Sequence, residues 1–266
     1  MSTRPRHVPA TFDLEGRLAL ISGAGSATGI GFAAARALGE LGARVAITST
    51  TERIHERVAE LQHAGIDAVG FIATLDSEDG VDRLAAELEA ASLEPTIVVN
   101  NAGMVNVSQA QMLSGDVTGD VADWRRSLEM NLTSAFLLTR MVVPGMRAAR
   151  WGRIVNVSSV SGPVMASRAD VAYAAAKAGM VGLTRALAVD EAAFGITANA
   201  VAPGWIATGS QLASEEEEGH RVPLRRSGTA EEVASVIAWL ATPGASYVTG
   251  QVVVVDGGNS IGEERT

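Results

Sequence analysis

The sequence predicts one α/β domain, a doubly wound parallel sheet of seven strands with helices on both faces. Three observations carry this. Short β-branched runs alternate with longer amphipathic segments, the pattern of a parallel sheet covered by helices on its two sides. The runs number seven, which fit one sheet. The chain has 266 residues, 47% of them hydrophobic, enough to bury one large core and short for a second folded domain.

Residues 1–12 read as a flexible N-terminal arm. Arg4, Arg6 and two prolines have no apolar run behind them, so the segment lacks the hydrophobic stretch of a secretory signal. Strands are predicted at 18–21, 45–48, 69–72, 97–99, 154–157, 198–201 and 252–255. Between the first two, Ile30, Ala33, Ala34, Ala37, Leu38 and Leu41 recur at helical spacing, with Gly42 as the stop. Val81, Leu84, Ala85 and Leu88 repeat the pattern. An Ala-rich helix runs from Tyr173 to about Phe194. Thr229 followed by Glu232 resembles a capping box opening a helix through Leu240 that Pro243 ends. The glutamates at 215–218 read as a solvated loop or helix face.

Composition excludes several functions. Against 30 Asp and Glu there are 21 Lys and Arg, a formal charge of −9, which repels a phosphate backbone, so nucleic acid is not an expected partner. With no cysteine, thiolate nucleophiles, disulfides and Cys-ligated metal sites are ruled out. The four histidines are scattered without HxxxH or HxH spacing, and no metal is expected. No run approaches the ~18 apolar residues of a membrane span. A cytoplasmic protein without membrane contact is expected.

Directly after the first strand comes Ser22-Gly23-Ala24-Gly25-Ser26-Ala27-Thr28-Gly29-Ile30-Gly31, and then the first helix. Glycines let backbone approach a ligand without a Cβ clash, and a helix N-terminus offers free N–H groups and partial positive charge to a pyrophosphate. A dinucleotide is the natural ligand, although tight turns in α/β proteins also use glycine. Tyr173-Ala174-Ala175-Ala176-Lys177 places a tyrosine and a lysine on one helix face. A phenol titrating near ~10 can protonate a developing alkoxide, and a neighbouring ammonium lowers its pKa. A surface tyrosine beside a solvated lysine fits the same letters.

The glycine turn, Asn100-Asn101-Ala102-Gly103, the serines after the fifth strand, Tyr173xxxLys177, Pro203-Gly204, Thr249-Gly250-Gln251 and Val255-Asp256-Gly257-Gly258 together resemble the short-chain dehydrogenase/reductases. The likeness runs in order from Leu14 to Gly258 and is strongest to the single-domain, Rossmann-type subgroup that includes the 3-oxoacyl-acyl carrier protein reductases. It implies an NAD(P)-dependent oxidoreductase moving hydride between nicotinamide and a carbonyl or secondary alcohol. Tyr173 is then the acid/base. Ser159 binds the substrate carbonyl, and Lys177 binds the nicotinamide ribose and lowers the Tyr173 pKa. Asn131 distorts a helix and holds a water leading to Lys177. Implied cofactor contacts are Gly23, Gly25, Ser26, Gly29, Ile30, Ser49, Thr50, Thr74, Leu75, Asn101, Ala102, Gly103, Tyr173, Lys177, Pro203, Gly204, Ile206 and Thr208. The resemblance also implies a homotetramer; the stripe Ala178, Val181, Gly182, Arg185, Ala186 and Val189 suits helix pairing, as it would core packing.

The sequence departs from the family pattern in four places. The glycine turn is two residues longer than the compact form, and Gly23 and Gly25 compete for its first position. Tyr173 follows Ser159 by 14 positions, one more than the usual interval, with Ser158 and Ser161 as neighbours. The second strand ends in Thr48-Ser49-Thr50-Thr51-Glu52-Arg53, without the acid that NAD-preferring relatives place there. NADP(H) is therefore favoured, with NAD(H) the alternative. Thr74 stands where the family commonly has an adenine-binding Asp. Substrate choice falls to residues 104–120 and to a lid at about 205–225, where Trp205, with Met165 and Leu212, offers an apolar pocket or simply core or subunit contacts. The expected substrate is a small-molecule ketone or 3-oxoacyl compound. Alternatives are a catalytically silent nucleotide-binding or scaffold protein, and a nucleotide-sugar epimerase or dehydratase.

Overall fold

The computed structural model describes residues 8–103, 115–209, 211 and 213–262. Strands and helices alternate as β1 (Leu18–Ile21), α1 (Ile30–Glu40), β2 (Arg44–Ser49), α2 (Arg53–His63), β3 (Ala68–Ile72), α3 (Glu78–Ala90), β4 (Ile97–Asn100), α4 (Val121–Leu128), α5 (Ser134–Ala149), β5 (Gly152–Val157), α6 (Val171–Glu191), β6 (Ile196–Pro203), β7 (Ile206–Ala207), α7 (Ala213–Arg221), β8 (Gly228–Thr229), α8 (Ala230–Ala241) and β9 (Val252–Val255). Seven strands form one parallel sheet in the order β3-β2-β1-β4-β5-β6-β9. All seven expected strands are present, with β6 extending two residues further at each end.

Alternation along the central strands feeds a core on each face of the sheet. Ala19 and Ile21 of β1 pack with Ala34 and Leu38 of α1 and Val233 and Ile237 of α8. Leu18 and Leu20 face the other way, onto Leu84 and Leu88 of α3 and Leu138 and Met146 of α5. Each fully buried Leu or Ile stabilises the fold by roughly 1.5–3 kcal/mol. Because strand order reverses between β1 and β4, the loops leaving their C-terminal ends diverge and open a crevice, the place where such sheets bind ligands.

Helix boundaries follow capping chemistry. Gly42, at φ +105, ends α1 in a conformation disfavoured for a residue with a Cβ. The expected capping box is formed, with Thr229 accepting from the Glu232 N–H and the Glu232 carboxylate accepting from the Thr229 N–H. Helices α2, α4 and α5 lie outside the predicted elements. For α4 the signal was present in Asp120, which accepts the Ala122 N–H at 2.8 Å as N-cap. The β7–β8 pair, two residues a side, is too short for any pattern. At the N-terminal end the Thr11 carbonyl accepts from the Gly244 N–H at 2.6 Å, which ties the last residues of the expected arm to the turn after α8. Among the described residues no helix is long and apolar enough to cross a membrane.

Candidate active site

The glycine turn folds where β1 hands over to α1. The Ser22 hydroxyl donates to the Val99 carbonyl and accepts the N–H groups of Asn101 and Ala102, while the Asn101 side chain donates to the carbonyls of Ser22 and Gly23. The ends of β1 and β4 are thereby locked together. Two glycines are required by the resulting closeness. A Cβ on Gly31 would lie 2.6 Å from both Asn101 Nδ2 and the Gly23 carbonyl oxygen, and one on Gly25 would lie 2.8 Å from Ser49 Cβ. Gly23 takes φ +69 against Ala102, whereas Gly25 packs on the end of β2, so the two have different places in the lengthened turn. The extra length carries Thr28 outward, where its hydroxyl accepts the Gly209 N–H at 2.8 Å.

The turn forms one wall of a cleft of about 490 Å³ along the C-terminal ends of the sheet, a size typical of small-ligand sites. Helix α1 meets it with Gly29 as N-cap, no side-chain cap and no acidic residue in its first turn, so the positive end of the helix is left for an anion. Every residue named above as a cofactor contact lines this cleft, as do Ser159, Trp205 and Met165. Leu212 and residues 104–114 lie outside the described residues. Asn100 of the Asn-Asn-Ala-Gly segment turns inward instead, donating to Thr139 and to Asn156, which donates in turn to Thr184.

At the far end the acid/base candidates converge. Lys177 is 3% exposed; its Nζ donates to the Val157 carbonyl at 3.0 Å and lies 5.5 Å from the centroid of the Tyr173 ring. This is not the solvated lysine of the bland alternative. The serines separate by partner. Ser158 is buried and donates to the Lys177 carbonyl at 2.9 Å. Ser159 accepts the Ser161 N–H at 3.1 Å and is the hydrogen-bond partner of Tyr173. Burial pushes the Tyr173 hydroxyl up to about 12 against the pull of the Ser159 bond, and the charges of Asp170 and Glu215 add to the rise. Burial also holds Lys177 down to about 8. In the protein alone the Tyr173 pKa is raised, not lowered as expected, because desolvation outweighs the Ser159 bond that pulls the other way.

Asn131 stands behind the cleft, not in its wall. It is buried in a π-helical turn, Glu129–Thr133, that joins α4 to α5, and its side chain donates to the Ser127 carbonyl at 3.1 Å. Gly103, at φ +137, brings the cleft backbone against it: a Cβ there would lie 2.7 Å from Asn131 Oδ1. The helix distortion expected at this asparagine is present as that π turn.

One ion pair and two single carboxylates escaped sequence reasoning. Asp76 and Arg126 form an ion pair at the cleft wall, joining the loop after β3 to α4. Asp170 lines the cleft just before Tyr173. Glu215 does so too, unlike the wholly solvated run expected at 215–218. Spacing from Thr74 could have flagged Asp76; nothing local marks the other two.

A family profile described as enoyl-(acyl carrier protein) reductase matches residues 23–260. The 3-oxoacyl-(acyl-carrier-protein) reductase FabG of Pseudomonas aeruginosa is 40% identical over 252 residues, covering 92% of this chain and 98% of that protein. The chain belongs to the short-chain dehydrogenase/reductases. It is an oxidoreductase of CH–OH and carbonyl groups. Other members of the family are similar over comparable lengths. Nodulation protein G of a Rhizobium species is 41% identical over 93% of this chain and 98% of its own length. Among solved structures, a 3-oxoacyl-acyl-carrier-protein reductase with bound NAD from Brucella melitensis aligns with TM-score 0.83 at 33% identity, covering 98% of both chains. A gluconate 5-dehydrogenase from Burkholderia cenocepacia in complex with NADP and tartrate aligns with TM-score 0.86 at 29% identity, covering 96% of this chain and 99% of that one.

Proposed function

We propose that the protein is an NADPH-dependent reductase of a small-molecule ketone or 3-oxoacyl compound, with Tyr173 as the acid. The observation that carries this is the convergence of Tyr173, hydrogen-bonded to Ser159 and backed by buried Lys177, at one end of the glycine-walled cleft.

A dinucleotide fits the residues present. The uncapped N-terminus of α1, with the turn from Gly23 to Ile30, would hold a pyrophosphate. Thr48 at the cleft wall has a buried hydroxyl without a partner. Ser49, Thr50 and Arg53 would receive a 2′-phosphate, with Arg53 Nε braced on the Thr51 hydroxyl at 3.3 Å; no carboxylate stands at the end of β2 to repel it. NAD(H) would occupy the same groove without that charge contact. Thr74, Leu75 and Asn101 to Gly103 would hold the adenosine side, Pro203, Gly204, Ile206 and Thr208 the nicotinamide, and Lys177 the nicotinamide ribose.

When bound, the reduced nicotinamide supplies the hydride. Ser159 donates to the substrate carbonyl and orients it toward Tyr173, which releases its proton to the oxygen as charge develops there. Ser159 keeps its bond from Ser161 meanwhile and so holds its position. Lys177 holds positive charge behind the phenolate left on Tyr173, and the Asn131 turn keeps a proton path to Lys177 in place. The segment at about 205–225 serves as a lid, residues 1–12 as an arm, and 13–266 as one Rossmann domain.

The exposed face of α6, with Ala178, Gly182, Arg185, Ala186 and Val189 outward and Val181 buried, suits pairing with a second copy in a cytoplasmic homotetramer; light scattering tests this. The activity is tested by loss of reduced-nicotinamide absorbance with NADPH and NADH in parallel, against β-ketoacyl thioesters, cyclic ketones and aryl ketones. Turnover supports the reading. Cofactor binding without turnover of any of them would favour a silent binder.

A further inference from the structure

The loop between Ser159 and Tyr173 holds a carboxylate with no assigned task. Asp170 is the N-cap residue of α6, three positions before Tyr173, and its main-chain carbonyl accepts the Ala174 N–H at 2.9 Å. An N-cap aspartate ordinarily turns its side chain back onto the first amides of its own helix. Asp170 makes no such cap. Its backbone, φ −132 and ψ 33, follows Ala169 in the left-handed region at φ +56, a conformation that costs an alanine free energy a glycine would not lose. The chain is bent here in a way that gives Asp170 to the cleft, where it lines the same wall as Ser159 and Tyr173.

Among the described residues its carboxylate receives no hydrogen bond and forms no ion pair, and half-burial pushes its pKa up to about 6. Arg168 lines the cleft nearby but is exposed and is not paired with it. The charge of Asp170, with that of Glu215, is felt at the Tyr173 hydroxyl. A carboxylate partly removed from water and left without a donor is costly in the protein alone, and a substrate donor removes that cost.

We propose that Asp170 is a specificity-determining residue, accepting a hydrogen bond from a hydroxyl or ammonium group that the substrate carries close to its reacting carbonyl, and turning away substrates with an anionic group there. The inference rests on the reductase reading above. It selects hydroxyketones or aminoketones over simple alkyl ketones and oxo acids.

The test uses four ketones of matched length that bear, next to the carbonyl, a methyl, hydroxymethyl, aminomethyl or carboxylate group. Their kcat/KM values with NADPH are compared for the wild type, Asp170→Asn and Asp170→Ala. The wild type should favour one of the donor-bearing ketones over the methyl one by about tenfold or more, and which donor wins identifies the source. Asp170→Ala should lose that preference and gain on the carboxylate ketone, each measured relative to the methyl ketone turned over by the same variant. Asp170→Asn, which keeps the N-cap shape, should lose preference for the ammonium group but keep part of that for the hydroxyl. Equal preference profiles in wild type and Asp170→Ala would overturn the inference and leave the reductase reading standing. If Asp170→Ala does not fold, the same comparison with Asp170→Asn decides. Failure of the wild type to turn over any of the four ketones, with cofactor bound, would overturn the reductase reading and the inference with it.

Discussion

Lys177 lies against Tyr173, its Nζ 5.5 Å from the ring centroid, and donates a hydrogen bond to the Val157 carbonyl at 3.0 Å. The bond fixes the ammonium at the end of β5, where burial works against its charge. Folded Lys177 is held down to about 8 from 10.5. Between these values the unfolded chain binds more protons than the folded one, so stability rises with pH across that window, and below it the burial penalty is present in full. Lys177→Met removes the penalty. Its melting temperature relative to wild type, without cofactor, should be most favourable at and below pH 8 and fall back as pH rises toward 10.5. A constant difference across that range would contradict the burial account. The same variant should lose about a hundredfold or more in kcat.

Ser49 terminates β2 where a carboxylate would meet a 2′-phosphate. Ser49→Asp places like charges together and should lower the kcat/KM ratio of NADPH to NADH by about tenfold or more. An unchanged ratio would show that the phosphate binds elsewhere.

The lengthened glycine turn reaches across the cleft through Thr28, whose hydroxyl accepts the Gly209 N–H. Thr28→Ala removes this link between the pyrophosphate side and the nicotinamide side. A single neutral hydrogen bond contributes about 0.5–1.5 kcal/mol, so cofactor Kd by titration calorimetry should rise about two- to tenfold, with kcat little changed. A Kd equal to wild type would mean that Thr28 takes no part in cofactor retention.

Gly31 is packed too tightly for a side chain. Gly31→Ala forces its Cβ onto Asn101 Nδ2 and the Gly23 carbonyl, both 2.6 Å away, and should destabilise by about 1–3 kcal/mol in urea unfolding. Because Asn101 also holds the ends of β1 and β4 together, cofactor affinity should fall with it.

What the sequence disclosed follows from where information is local. The seven strands were legible because strands buried between two helical layers keep apolar, β-branched runs, as the central Ile97–Asn100 does. The α8 capping box was legible because its four residues satisfy one another. The convergence of Ser159, Tyr173 and Lys177 was reached through resemblance, since no local rule brings β5 against α6. The π turn at Asn131 leaves no trace in helical periodicity. Asp170 was hidden because its placement depends on a left-handed Ala169, against alanine's own preference. Thr28 and Gly209 are far apart in the chain, and their meeting is a property of the fold alone.

In the proposed reaction the Tyr173 hydroxyl delivers the proton, while the rest of the cleft binds cofactor without it. Tyr173→Phe keeps the ring against Lys177 and deletes only that hydroxyl. The measurement is NADPH-dependent ketone reduction by this variant, paired with its NADPH Kd. Turnover should fall by about a thousandfold or more with Kd within about threefold of wild type; near-normal turnover with intact binding would contradict the account.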